Sequence, residues 1–342
     1  MRLRVTAVLV ALCTLVQTAE AQEDVAAFFK DRTVRIIVGS AAGGGYDVSA
    51  RALARHWPSH IPGKPTIIVQ NQPGAGSLPM TNQLYANGPK DGSVIGAPLN
   101  GVPTAPLLTP DQAKFDPRQL IWIGSTNRDT QLAYVWHTAP VQSLADLLAK
   151  DVVVGATTPG STQVDYPVVA REILGVRFKV VSGYKGIADI HLAMEAGEVQ
   201  GIGANGWLGL KVVNGPWIAE KKVRPIVQYG LDRHPDLTDV PTVFDIAKTE
   251  ADRQALRLMA ARLEYGRPFF LPPNVPPARA EALRRAFDAT MKDPAFLAEA
   301  ARSNLDVSPM SGVEVTRLVH EVLDTPTAVV DRIRAALARS AK

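Results

Sequence analysis

Three short glycine-rich segments carry the residues whose types and spacing have the clearest chemical use. Gly43-Gly44-Gly45 follows the β-branched run Val34 to Gly39 and precedes a helical pattern that begins near Asp47. Gly74-Ala75-Gly76-Ser77 holds the same place after Thr66 to Asn71, and Pro159-Gly160-Ser161-Thr162 does so after Val152 to Ala156. A strand that ends in such a loop and opens a helix leaves backbone N–H groups without intrahelical partners, at the positive end of the helix dipole. Missing side chains let a ligand come close to those amides, so the chemistry on offer is recognition of a carboxylate or phosphate. Any one loop alone reads equally well as a tight turn that needs glycine; three in equivalent places favour a ligand.

The residues around the loops have two readings each. Asp47 is either a helix N-cap or a ligand contact. Asn71, Asn100 and Asn205 end strands, and Tyr46, Tyr184 and Trp207 flank the loops; turn formation and core packing explain them as well as ligand contact does. No loop carries Arg or Lys at its tip except Lys185 beside Tyr184. Amides and hydroxyls at helix ends are therefore expected to hold the anion.

Signatures of catalysis are missing. The first glycine run has Val48 where a dinucleotide fingerprint needs its third glycine, and no G-x-x-x-x-G-K-[ST], G-x-S-x-G or H-E-x-x-H occurs. His56 and His60 stand four apart, but Pro58 lies between them and Trp57 follows His56. They read as a solvent-exposed pair at a helix end rather than as metal ligands. No catalysis, metal or cofactor is expected. Basic residues are interspersed with acidic ones, in runs no longer than pairs such as Lys221-Lys222 and Arg284-Arg285. That leaves no stripe for a polyanion, and nucleic acid is not expected as a partner.

The elements that must position these loops alternate along the chain. Strand-like runs begin at Val34, Thr66, Ser93, Ile121, Val152, Phe178 and Val199, which predicts an α/β fold. Ala50, Leu53, Ala54 and Trp57 share one helical face opposite Arg51 and Arg55, and Ile187, Ile190 and Met194 share another. The last third is mostly helical, with Ser311 as a cap and Thr325-Pro326 opening a final helix. At the N-terminus Arg2 and Arg4, the apolar run Val5 to Val16 and Ala19-Glu20-Ala21 form a signal peptide with cleavage after Ala21. The run is too short to span a bilayer. Cys13, the one cysteine, leaves with it, which excludes disulfides and thiol chemistry. The formal charge of +4 falls to +3 as two arginines and one glutamate depart.

Taken in order, these segments resemble the receptors of tripartite tricarboxylate transporters, the Bug or TctC-like family. The resemblance rests on VRIIVGSAAGGGYDVSAR from Val34, VQNQPGAGS from Val69, PKDGSVIG from Pro89, GYKGIADI from Gly183, EAGEVQG from Glu195 and HPDLTDVPT from His234, and spans nearly the whole mature chain. It implies a two-lobed type II periplasmic-binding-protein fold, with lobe 1 over 22–125 plus 230–342 and lobe 2 over 126–229. Chain crossings near 125–129 and 226–230 would form a hinge. It implies a monomer in the periplasm that captures a small carboxylate and delivers it to the membrane components of such a transporter. An extracytoplasmic sensor for a receptor kinase and a secreted hydrolase are the alternatives. The implied ligand residues are Gly43, Gly44, Gly45, Tyr46 and Asp47; Gly74, Ala75, Gly76 and Ser77; Leu99 and Asn100; Thr157, Thr158, Gly160 and Ser161; Tyr184; and Asn205. Two departures stand out. Ala41 and Ala42 replace prolines common before the first glycine run, and the histidine that often follows the second-lobe Gly-Ser is missing, with Asp165 the nearest ionisable residue. A carboxylate there repels an acid unless it is turned away or neutralised.

Overall fold

The computed structural model describes residues 24–157 and 161–339; the expected signal peptide, 1–21, lies outside the described residues. Eleven strands among them form two mixed sheets. The first sheet starts with β1 (Thr33–Val38), β2 (Thr66–Asn71), β3 (Val94–Ala97) and β4 (Ile121–Ser125). The second comprises β5 (Gln131–Trp136), β6 (Val152–Ala156), β7 (Phe178–Ser182), β8 (Gly201–Gly206) and β9 (Val223–Tyr229), in the order β7-β6-β8-β5-β9. Strands β10 (Pro268–Leu271) and β11 (Met310–Ser311) return to the first, whose order is β11-β4-β10-β3-β1-β2.

Residues Val34, Ile36, Ile37 and Val38 of β1 are all buried, the pattern of a strand covered on both faces. Its neighbours β2 and β3 run parallel to it, as β7 and β8 run parallel to β6. Parallel neighbours send their carboxyl ends the same way, so the loops after β1, β2 and β3 emerge together, and so do those after β6, β7 and β8. The chain passes from the first sheet to the second between Ser125 and Gln131 and returns between Tyr229 and Pro268.

The helix Gly45–His56 buries Ala50 and Leu53, and Trp57 follows them into the core against the edges of Phe269 and Phe287. Arg55 on the opposite side is exposed, as the helical periodicity predicts. In the second sheet Pro167, inside the helix Thr162–Leu174, packs on Gly203; a Cβ at Gly203 would lie 2.6 Å from that of Pro167, so only glycine fits. The predicted Ser311 cap is present as a reciprocal capping box with Glu314 at the start of the helix Gly312–Leu323. The final helix, Thr327–Ala338, begins one residue later than expected, with Pro326 at the N-cap, because the Thr325 hydroxyl donates back to the Val322 carbonyl at 2.6 Å. Among the described residues no helix is long and apolar enough to cross a membrane.

His56 and His60 differ from the solvent-exposed pair expected. Each is half-buried and faces an acid near the helix Pro294–Arg302: His56 Nε2 lies 2.7 Å from Glu299 and His60 Nε2 lies 2.9 Å from Asp293. Hydrogen bonds from Arg55, joined by His56, hold the Glu299 carboxyl down to about 2. A carboxyl whose folded pKa lies below its unfolded value stabilises the fold above the unfolded value, and that contribution is lost as pH falls through the folded one. Glu299→Gln is therefore expected to be less stable than the parent at pH 7, with the gap closing between about pH 4.5 and about pH 2. Urea unfolding at pH 7 and pH 2.5 checks this; an equal gap at both contradicts it.

Candidate functional site

The first glycine loop is fastened from behind. Gly44 is the N-cap of the helix Gly45–His56, a correction to the capping role considered for Asp47. Asp47 lies in the first turn and accepts hydrogen bonds from the Gly43 amide (2.8 Å), Arg51 Nε (3.0 Å) and Asn71 Nδ2 (2.9 Å). Burial opposes its charged form, but those hydrogen bonds outweigh burial and keep the carboxyl below its ordinary value. Asn71 Nδ2 also donates to the Ser40 carbonyl, and its Oδ1 accepts from Arg51. Asp47 and Asn71 thus spend their polar atoms tying the loop to the end of β2.

In the second loop Gly74, Ala75, Gly76 and Ser77 all have positive φ, which explains both glycines without a ligand. Ser77 is fully buried; its hydroxyl donates to the Gly39 carbonyl (2.9 Å) and accepts from the Leu99 amide (3.1 Å). One side chain therefore joins the loops after β1, β2 and β3. Ser77→Ala takes this partner from the buried Gly39 carbonyl and the half-buried Leu99 amide, so we expect a loss of about 1–3 kcal/mol in stability. A lower urea midpoint at unchanged slope checks this; an unchanged midpoint contradicts it. The Tyr46 hydroxyl accepts from the Asn100 amide at 3.2 Å, which adds the third loop to the first.

On the second sheet, the Thr157 carbonyl accepts from the Gly183 amide (2.8 Å) and the Tyr184 ring packs on Gly155. Thr158 and Gly160 lie outside the described residues. Ser161 is the N-cap of the helix Thr162–Leu174, and its hydroxyl is shielded from solvent with no hydrogen-bond partner among the described residues. Asn205 Nδ2 is turned into the lobe, donating to the Tyr134 hydroxyl at 3.1 Å; that hydroxyl also meets His191 Nε2 at 2.8 Å. Trp207 opens the helix Trp207–Ala219 and donates from Nε1 to Asp236.

Two arginines complete the site, although no loop tip carries them. Arg262, on the helix Glu250–Glu264, approaches Gly101 so closely that a Cβ there would lie 2.9 Å from Nη2. Its Nη1 lies 3.8 Å from Asp165 Oδ2, and its Nε is shielded with no partner among the described residues. One guanidinium thus borders both the loop after β3 and the helix after β6, and it answers the charge of Asp165. Arg267 lies against Gly45, with Nη2 3.1 Å from where a Cβ would stand. The sequence offered one sign of Arg262: a cation within the apolar run Leu258-Met259-Ala260-Ala261-Arg262-Leu263.

Among the described residues Ser40 Oγ, Ser161 Oγ, Arg262 Nε, Arg267 Nη1 and Asn127 Oδ1 are shielded and have no hydrogen-bond partner. Such atoms are costly in a folded protein unless a partner or water meets them. Beside Tyr46 a cavity of about 260 Å³ reaches from Arg267 and Asn127 across to Asp129, Gly206 and Leu208. Burial pushes the Asp129 carboxyl above its ordinary value, against the hydrogen bond from Gln131 Nε2 at 2.6 Å and the field of Arg267.

Residues 50–334 match the family model described as tripartite tricarboxylate transporter family receptor. A UPF0065 protein in the gbd 5′ region of Cupriavidus necator is 23% identical, over 99% of this chain and 98% of its own length. The crystal structure of a TctC solute-binding protein from Polaromonas superposes with a TM-score of 0.70 at 21% identity, over 88% of this chain and 98% of that one. MatC from Rhodopseudomonas palustris, with bound malate, gives a TM-score of 0.60 at 18% identity, over 90% and 99%. These similarities show the two-lobed fold.

Proposed function

Because the chain belongs to the tripartite tricarboxylate transporter receptor family, we propose that it is an exported receptor that captures a small organic acid between its lobes. It delivers that acid to the membrane components of the transporter, as a monomer, after cleavage behind Ala21 and without catalysis of its own. The lobes comprise 22–125 with 230–342, and 126–229. The ligand's carboxylate lies against the loops at Gly43 to Tyr46, Gly74 to Gly76, Leu99 to Asn100 and Thr157 to Ser161, with Tyr184 and Asn205 on the second-lobe side.

One observation carries this reading. Arg262 borders Gly101 in the loop after β3 and Asp165 in the helix after β6, and among the described residues its Nε has no hydrogen-bond partner. A guanidinium so placed recognises a planar anion such as a carboxylate. The malate in MatC supports that class of ligand. The test is calorimetric titration of the processed protein with mono-, di- and tricarboxylates beside neutral sugars. Saturable binding of at least one acid is expected; binding confined to sugars or cations contradicts the reading.

A further inference from the structure

The cavity beside Tyr46 holds charges of both signs that the glycine loops do not explain. On one wall the Arg267 guanidinium packs on Gly45, and its Nη1 is shielded with no partner among the described residues. On the other, Asp129 stands against Gly206, where a Cβ would lie 3.5 Å from its Oδ1. Asn127, in the same lining, is buried, and its Oδ1 has no donor among the described residues. Asp306 adds a second carboxylate, which accepts from the Ser308 hydroxyl at 3.0 Å.

A plain carboxylate entering this cavity gains Arg267 but faces two acids. A plain cation gains the acids but faces Arg267. A group with both charges on neighbouring atoms satisfies the guanidinium, the carboxylates and the orphan amide oxygen together. We propose that this cavity takes the α-amino-acid end of the ligand, with the carboxylate against Arg267 and the ammonium between Asp129 and Asn127 Oδ1. Tyr46 lines this cavity and its hydroxyl accepts from the Asn100 amide, which puts the cavity beside the loop after β3. The inference rests on the carboxylate-receptor reading and narrows it from organic acids in general to amino acids.

The test is calorimetric titration of the processed chain with matched pairs: aspartate against succinate, glutamate against glutarate, phenylalanine against 3-phenylpropionate. In whichever pair binds, the amino acid is expected to bind at least about tenfold more tightly, a difference of about 1.4 kcal/mol. Asp129→Asn is expected to bring the two members towards parity. Equal or tighter binding of the deaminated member in the parent protein overturns this proposal alone, as does a full preference retained in Asp129→Asn. Failure of every compound to bind overturns it together with the carboxylate-receptor reading.

Discussion

Arg262→Ala is expected to weaken binding of the cognate acid by about thirtyfold or more, since truncating one partner of a buried, hydrogen-bonded charge pair costs about 2–5 kcal/mol. The loss has two sources. The ligand forfeits a charge-assisted donor that the structure leaves free at Nε, and it then meets Asp165 without the guanidinium that answers it. Adding Asp165→Asn removes the second source, so the double variant is expected to recover part of the affinity. Arg262→Lys should fall between parent and alanine, because an ammonium keeps the charge but lacks the planar fork. Titration of the four proteins with the tightest-binding acid decides this. Parent-like affinity in Arg262→Ala contradicts the assignment.

The second large effect is expected at Gly44. Its φ of −76° and ψ of 165° are open to any residue, and a Cβ there meets only the Ala41 carbonyl, at 3.5 Å, an ordinary contact. Gly44→Val should therefore fold with stability within about 1 kcal/mol of the parent, yet place an isopropyl group before the amides that approach the ligand. Binding is expected to fall below detection while the urea midpoint stays put. Gly76→Val is a poorer probe: φ is +65° at Gly76, so a β-branched residue is strained there and lost binding would not report on the ligand alone. Normal binding by Gly44→Val would remove the first glycine loop from the site.

Much of the framework was legible because the strands that carry the loops are continuous β-branched runs. Thr66–Asn71 and Val152–Ala156 begin and end where the composition says, and the Ser311 cap and the buried face of Gly45–His56 follow from local chemistry. Strands that depend on tertiary pairing escaped. β9 contains Pro225, which argues against a strand until β9 proves to lie at the edge of its sheet, where a proline is tolerated. β11 has two residues and exists only because β4 lies beside it.

The site shows the same division. Glycine loops announce themselves locally, but what each residue does depends on partners distant in the chain. Ser77 read as a donor for the ligand, and its hydroxyl instead joins Gly39 to Leu99. Asn205 read as a pocket residue, and its amide nitrogen serves Tyr134. Arg262 reaches the cleft from a helix more than 150 residues beyond Gly101, a distance at which spacing carries no signal. Asp165, expected to repel an acid, has Arg262 beside it.

The most direct test of the carboxylate-receptor account is a crystal structure of the processed protein with the acid that binds most tightly. The account predicts a carboxylate between the Gly43–Tyr46 and Ser161 loops, within hydrogen-bonding distance of Arg262 Nε and the Ser161 hydroxyl. A ligand seated elsewhere, or one whose carboxylate touches neither Arg262 nor the glycine loops, would contradict it.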